Sequence, residues 1–246
     1  MEIETAIENN GGAMCIYHQM KDFCRNLNWV VGSDGSVHSS HRGSENWAEV
    51  EIKTKAIEEQ DIPILKENLR KFWEFKPEAN ESMGVHIHIS FNRKTKEKER
   101  YFALCSWEFV DKFQKDYLQT FKSMLEQNRQ HNNFAHFYNN IRDFKSYTRV
   151  QLVNQGKEGR YKSVNFNSYN LYGTIEFRIF PMNTYEKVCE YIDFVVNHAK
   201  EFKAETLEIN RKARIERKEV EVEVINIDYQ KEEQKEFKSK CVSLAE

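Results

Sequence analysis

One stretch of strict alternation constrains the fold of this chain more than any other feature. Residues 174–180 read Thr-Ile-Glu-Phe-Arg-Ile-Phe, so that polar and apolar side chains follow each other in turn. Successive side chains of a β-strand point to opposite faces of the sheet. The stretch therefore predicts a strand that presents Glu176 and Arg178 on one face. Its other face carries Phe177 and Ile179.

Three earlier segments, residues 1–5, 49–54 and 85–89, alternate in the same way. If all four strands share one sheet whose apolar face lies on a common core, their polar side chains must converge on the opposite face. The converging side chains are Glu2, Glu4, Glu49, Glu51, Lys53, His86, His88, Thr174, Glu176 and Arg178.

The charges on this face indicate a metal site. Glu2, Glu4, Glu51 and Glu176 would repel one another at neutral pH and raise one another's pKa unless cations neutralise them. Lys53 and Arg178 supply part of the positive charge, and a divalent metal would supply the rest. Carboxylate oxygens with an imidazole, from His86 or His88, suit Mg²⁺ or Mn²⁺ better than Zn²⁺. The alternative interpretation is a plain solvated sheet face.

A metal of this kind commonly gathers phosphate oxygens, but the chain has no glycine-rich phosphate loop. Neither GxxxxGK[ST] nor GxGxxG occurs in the sequence. Any nucleotide would therefore be held by the sheet face, the metal and arginine side chains.

Composition sets the broad class. The chain has 246 residues with 37 Lys and Arg against 39 Asp and Glu, so its net charge predicts neither a nucleic-acid partner nor a membrane surface. No apolar run is long enough to span a bilayer. The five cysteines are an odd number without CxxC spacing, which favours reduced thiols in a cytoplasmic protein.

Helical spacing of apolar residues predicts helices over 15–27, 61–76, 101–128 and from Thr184 to about residue 203, the last covering the apolar side of the sheet. The fold class is therefore α+β, an antiparallel sheet with helices packed on its apolar face. We expect one domain over 1–203 and a charged C-terminal extension over 204–246.

Six short motifs occur in an order and spacing similar to those of the amidoligase family of carboxylate–amine ligases. They are EIE at 2–4, SDGS at 33–36, EIKT at 51–54, GVHIHIS at 84–90, RYKSVNF at 160–166 and TIEFRIF at 174–180. The resemblance extends from the first residue to about Phe202. It implies a catalytic domain with a glutamine synthetase-like fold, ATP and divalent metals, and amide formation from a carboxylate and an amine through an acyl phosphate.

The resemblance also implies roles for individual residues. Metal ligands would be Glu2, Glu4, Glu51, Glu176 and His86 or His88. Arg178 would hold the transferring phosphoryl group, and Asp34 or an uncommitted Glu would accept the proton of the amine. Nucleotide or substrate contacts would come from Lys53, Arg160 and Asn165, with Arg129 and Asn133 as a further pair.

Two other functions compete with this one. A protein of the same fold could bind a nucleotide or a peptide without turnover. A cupin-like metal enzyme also uses HxH on a strand, but no Glu follows His88 at the offset such enzymes require. Cysteine catalysis gains no support, because Cys15, Cys105 and Cys189 fall on predicted apolar helix faces.

Overall fold

A computed structural model describes residues 1–12, 15–41, 46–90, 104–123, 126, 135–139, 155 and 159–201. The chain divides into two units at the boundary between Lys200 and Glu201. The predicted extension over 204–246 lies outside the described residues. Among the described helices, none has the length and apolar character that a membrane crossing needs.

The described part of the chain is α+β and is built on a six-stranded sheet. Every strand pair in it is antiparallel, as predicted. The strands in chain order are β1 (Glu2–Glu8), β2 (Val30–Gly32), β3 (Trp47–Lys53), β4 (Gly84–Ser90), β5 (Val164–Asn165) and β6 (Thr174–Pro181). Their order across the sheet is β2-β3-β1-β4-β6-β5, so that β4, which carries the histidines, lies between β1 and β6, and β3 lies on the other side of β1.

The strand pairing confirms that the four alternating segments share one polar face. Residues directly opposite each other on neighbouring strands lie on the same face. Glu4 lies opposite Glu51, and Glu2 lies opposite both Lys53 and His86. The face continues across the sheet because His88 lies opposite Glu176.

A β-bulge interrupts the alternation of β6. Ile87 pairs with Phe177, whereas Val85 pairs with Phe180, so two residues of β6 oppose one residue of β4. Phe180 therefore shares the face of Val85 and Phe177. The predicted alternation through Ile179 is wrong at this point, because the extra residue reverses the sides of the residues that follow it.

The longer helical segments of the described residues are α1 (Ile16–Asn26), α2 (Ile62–Phe72), α3 (Trp107–Thr120), α4 (Ser168–Tyr172) and α5 (residues 185–201). The helix predicted over 101–128 is shorter than expected. It begins after Ser106, whose side chain accepts a hydrogen bond from Phe109 N at 3.3 Å, and it ends at Thr120. Phe121 is extended, although its spacing continues the apolar stripe.

Aromatic side chains join two of these helices to the apolar face of the sheet. Phe113 of α3 lies 5.0 Å from Phe177 and 6.3 Å from Phe180, measured between ring centroids. Tyr191 of α5 stacks on Phe180 at 4.7 Å. All four rings are fully buried. The prediction that the helix after Thr184 covers the apolar side of the sheet is confirmed by this contact.

Candidate metal centre

Three carboxylates from the two neighbouring strands β1 and β6 surround the imidazole of His86 on the polar face. His86 is only 1% exposed, and its Nδ1 lies 3.4 Å from Glu2 Oε2 and 3.4 Å from Glu176 Oε1. Its Nε2 lies 3.4 Å from Glu4 Oε1. The sheet order makes this possible, because β4 lies between the strand of Glu2 and Glu4 and the strand of Glu176.

His88 occupies the neighbouring position on the same face. Its Nδ1 lies 3.0 Å from the hydroxyl of Thr174, and its Nε2 lies 3.7 Å from Glu2 Oε2. The Nε2 atoms of His86 and His88 are both buried, and neither has a hydrogen-bond partner among the described residues. A buried nitrogen without such a partner is costly unless another ligand satisfies it.

Two sets of side chains offer atoms close enough together to bind a metal ion. One set is Glu2, His88 and Glu176, and the other is Glu2, Glu51 and His86, with the ligand atoms of each set within 4.8 Å of one another. Glu2 belongs to both sets. The two sets are therefore overlapping candidates for a metal site, and they share one carboxylate.

Glu2, which belongs to both ligand sets, and Glu51 have opposite pKa shifts. Burial opposes the ionisation of Glu2, but the nearby imidazoles of His86 and His88 lower its pKa well below the ordinary value. Burial raises the pKa of Glu51, and the charge of Glu2 raises it further against the effect of Lys53. Glu2 is thus ionised without a metal, whereas the ionised form of Glu51 is disfavoured.

Lys53 lies among these carboxylates instead of standing ready for a nucleotide. Its Nζ is 3.1 Å from Glu2 Oε1 and 2.9 Å from Glu51 Oε2. Burial lowers the pKa of Lys53, but the two carboxylates outweigh burial and raise it overall. The predicted role of Lys53 in nucleotide binding stays a prediction, with two of its three N–H donors directed at carboxylates in this conformation.

A second group of contacts links β5 and β6 at the other side of His86. Asn165 donates a hydrogen bond from Nδ2 to Glu176 Oε2 at 2.6 Å, and Arg178 Nη1 donates to Glu176 Oε1. Burial opposes the ionisation of Glu176, but Arg178, His86 and His88 lower its pKa. The predicted polar pair of strand β6 is therefore a buried ion pair that the amide of Asn165 orients.

The β-bulge lies at the centre of the site. The register shift between Val85 and Ile87 leaves His86 opposite Arg178 and Ile179 together. A bulge bends its strand and changes the direction of the side chains beside it. The irregularity therefore occurs where the imidazole and the guanidinium both have to face the carboxylates.

Asp34 and Arg160 lie at a more exposed part of the same region. Ser36 donates hydrogen bonds to Asp34 Oδ1 from its backbone N at 2.8 Å and its hydroxyl at 2.7 Å. Burial raises the pKa of Asp34, but the two hydrogen bonds from Ser36 and the charges of His86 and Arg160 together outweigh burial and lower it. The charges of His86 and Arg160 thus act on Asp34, and its lowered pKa makes it a weak proton acceptor in this conformation.

The structure brings together most of the residues that the sequence predicts for the site. Arg129 and Asn133 lie outside the described residues. Thr174 was on the polar face in the sequence pattern, but its contact with His88 was missed because an isolated threonine on a strand carries no specific signal. Tyr172, whose ring lies against His88, was also missed.

No protein-family model, curated protein or solved structure matches this chain. The amidoligase resemblance therefore rests on the six short motifs alone.

Cysteine chemistry finds no support in the described part of the chain. Cys15, Cys24, Cys105 and Cys189 are free thiols, as predicted. Burial raises the pKa of the Cys24 thiol to about 12. None of these four residues belongs to the carboxylate and histidine sets described above.

Proposed function

We propose that this chain is a divalent-metal-dependent enzyme that uses ATP to join a carboxylate to an amine. The observation that carries the proposal is the position of Glu2 in two ligand sets, one with His88 and Glu176 and one with Glu51 and His86. Paired cations that share a ligand are typical of enzymes that act on phosphate groups. The amidoligase resemblance adds the class of reaction.

The residues fit magnesium or manganese. Glu2, Glu51 and Glu176 would provide hard oxygen ligands, and His86 and His88, whose buried Nε2 atoms make no hydrogen bond with the described residues, would provide nitrogen ligands. Bound divalent cations would supply positive charge for the phosphate oxygens of the nucleotide. They would also offset the burial and the charge of Glu2, which together raise the pKa of Glu51.

The chain itself would supply orientation and charge for phosphoryl transfer. Arg178 is almost fully buried and points along the same face as Glu176, to which it donates a hydrogen bond. A guanidinium in this position can stabilise the charge that develops on a transferring phosphoryl group. Asn165 fixes the other oxygen of Glu176 at 2.6 Å, which holds the carboxylate in one orientation.

The amine that completes the reaction has to lose a proton. Asp34 is the candidate acceptor at the exposed part of the site, where the charge of Arg160 also acts. Hydrogen bonds from Ser36 and nearby positive charge lower the pKa of Asp34, which makes it a weak base. To accept the proton of the amine, Asp34 would need these contacts to change when the substrate binds.

One observation favours a second candidate, a nucleotide-binding protein of the same fold without turnover. Both buried or half-buried cations of the site are paired with its own carboxylates, Lys53 with Glu2 and Glu51, and Arg178 with Glu176. A site whose cations stay paired in this way could bind a metal nucleotide and leave it unchanged. Measuring turnover separates the two candidates.

Calorimetric titration of ATP tests the proposal without knowledge of the other substrates. With Mg²⁺ we expect binding by the wild type, and with EDTA we expect none. Glu176→Gln should weaken binding by more than about ten-fold, since it removes a ligand and the partner of Arg178. Binding that is equal in Mg²⁺ and EDTA would contradict the proposed metal site.

A control variant is available on the same strand as Glu2. Glu8 lies at the exposed end of β1 and belongs to neither ligand set, so Glu8→Gln should bind ATP as the wild type does. ADP release should then be measured over a panel of carboxylates and amines. Metal-dependent ATP binding without ADP release on any pair would favour the non-catalytic candidate.

A further inference from the structure

Two consecutive apolar side chains lie exposed beside the metal centre. Leu171 is 75% exposed and Tyr172 is 61% exposed, at the C-terminal end of α4. The Tyr172 ring meets the His88 ring edge to face, with 6.2 Å between centroids and 82° between planes. An exposed aromatic ring therefore lies one contact away from a candidate metal ligand.

Hydrogen bonds from the first residue of α4 hold the helix against both strands that flank it. The Ser168 hydroxyl lies 2.7 Å from the carbonyl oxygen of Thr174 in β6 and 3.0 Å from that of Asn165 in β5. Gly173 N donates to Tyr169 O at 2.8 Å and closes the helix. The position of the Tyr172 backbone is thus fixed by the strands that carry Asn165 and Glu176.

Gly173 is the C-cap residue that ends α4. Its φ of +69° lies in the left-handed region, which a residue with a Cβ rarely adopts. The chain turns directly from Tyr172 into β6, and only Gly173 separates the aromatic ring from the strand that bears Glu176 and Arg178. The tyrosine is therefore an exposed ring on a fixed support, which is what a stacking surface for a flat ligand requires.

We propose that Tyr172 stacks against the nucleobase of the nucleotide whose phosphates bind at the Glu2 centre. This inference rests on the proposed function, since it assigns a binding residue to the base of the same nucleotide. A nucleoside triphosphate combines an anionic chain with a flat aromatic base. The carboxylate and histidine sets match the metal-bound phosphates, and the adjoining Tyr172 ring matches the base.

The other aromatic surface of the described residues is poorly placed for this role. A surface groove of about 520 Å³ contains Trp73 and Tyr185, but its described lining includes none of the candidate metal ligands. A nucleotide bound there would find none of these ligands in the described lining for its metal-bound phosphates. Tyr172 is favoured because it contacts His88 directly.

Comparison of ATP with inorganic tripolyphosphate tests the assignment. Both probes carry three linked phosphates, but only ATP carries a base. In Mg²⁺, Tyr172→Ala should raise the calorimetric Kd for ATP about ten-fold or more and leave that for tripolyphosphate within about two-fold. Tyr172→Phe keeps the ring and should bind both probes as the wild type does.

Leu171→Ala is the matched control, because Leu171 is the more exposed neighbour on the same helix and has no ring to stack. It should bind both probes normally, and melting curves should show that every variant folds. Unchanged ATP binding by Tyr172→Ala, or a parallel loss of both probes, would overturn the stacking role while the metal centre stands. If the wild type binds neither probe, the proposed function itself fails and the inference fails with it.

Discussion

On one face of the sheet Phe177 and Phe180 are packed under aromatic rings of α3 and α5, whereas on the other face Glu176 and His86 are buried among charged groups. Both faces exclude water from their central residues. The chemistry of that burial differs. Burying an apolar ring stabilises the folded state, but burying a carboxylate costs free energy unless partners offset the loss of hydration.

The polar face, unlike the aromatic face, contains buried groups in unfavourable environments. Glu51 has a raised pKa, and the buried Nε2 atoms of His86 and His88 have no hydrogen-bond partner among the described residues. Neither feature contributes to stability. Both features lie on the polar face, whereas the other face is packed with aromatic rings. Unfavourable charge and hydrogen bonding concentrated on one face favour a site for a cationic ligand.

The largest effect should come from the aromatic face. Phe113→Ala removes a fully buried ring that contacts both Phe177 and Phe180, and it should lower the free energy of unfolding by about 3–5 kcal/mol. Urea unfolding followed by circular dichroism measures the change. Leu118→Ala, at a 41% exposed position of the same helix, should stay within about 0.5 kcal/mol. Equal losses of unfolding free energy in the two variants would show that the buried ring of Phe113 stabilises the protein no more than the exposed side chain of Leu118.

The second effect should come from filling the polar face with metal. At a Mn²⁺ concentration of about 100 times its Kd, binding to the folded state should add about 2.7 kcal/mol to the free energy of unfolding. Urea unfolding with Mn²⁺ and with EDTA measures the gain. Glu2→Gln should abolish it because Glu2 belongs to both ligand sets, whereas Glu8→Gln should keep it. A full gain in Glu2→Gln would exclude the shared ligand.

The polar face could be predicted from the sequence because side chains alternate with a period of two residues. That period alone placed Glu2, Glu51, His88 and Glu176 on one surface, and the pairing of the strands confirms it. The pattern does not encode which strands are neighbours. The pairing of Lys53 with Glu2 and Glu51 therefore emerged only with the sheet order.

Two local features broke the periodic patterns. The bulge opposite His86 adds one residue to β6, which a pattern of alternating polarity cannot reveal when both Ile179 and Phe180 are apolar. The apolar stripe of α3 continues to Phe121 although the helix ends at Thr120. Phe121 is buried although its backbone is extended, so an apolar residue at this position does not distinguish a helix from an extended segment.

A smaller effect should appear when the metal-free protein is acidified. Burial opposes the ionisation of Glu176, but Arg178 and the two histidines hold its pKa below the ordinary value of 4.5. A depressed carboxyl pKa stabilises the folded state above pH 4.5, and the contribution is lost as the pH falls below that value. In EDTA, urea midpoints of the wild type should therefore fall more steeply than those of Glu176→Gln between about pH 4.5 and 3. Parallel curves would show that Glu176 is not stabilised in its ionised form.

The smallest effect should have the opposite sign and comes from a carboxylate of the same face. Burial and the charge of Glu2 raise the pKa of Glu51, so its ionisation destabilises the folded state as the pH rises above the ordinary value of 4.5. In EDTA at pH 7, Glu51→Gln should therefore raise the free energy of unfolding, by less than about 1 kcal/mol because Lys53 and solvent screen the charge. With Mn²⁺ the order should reverse, since only the wild type keeps the ligand. A variant that is less stable than the wild type in EDTA would mean that Glu51 supports the sheet itself, and the contrast between a stabilising face and a binding face would no longer hold at this residue.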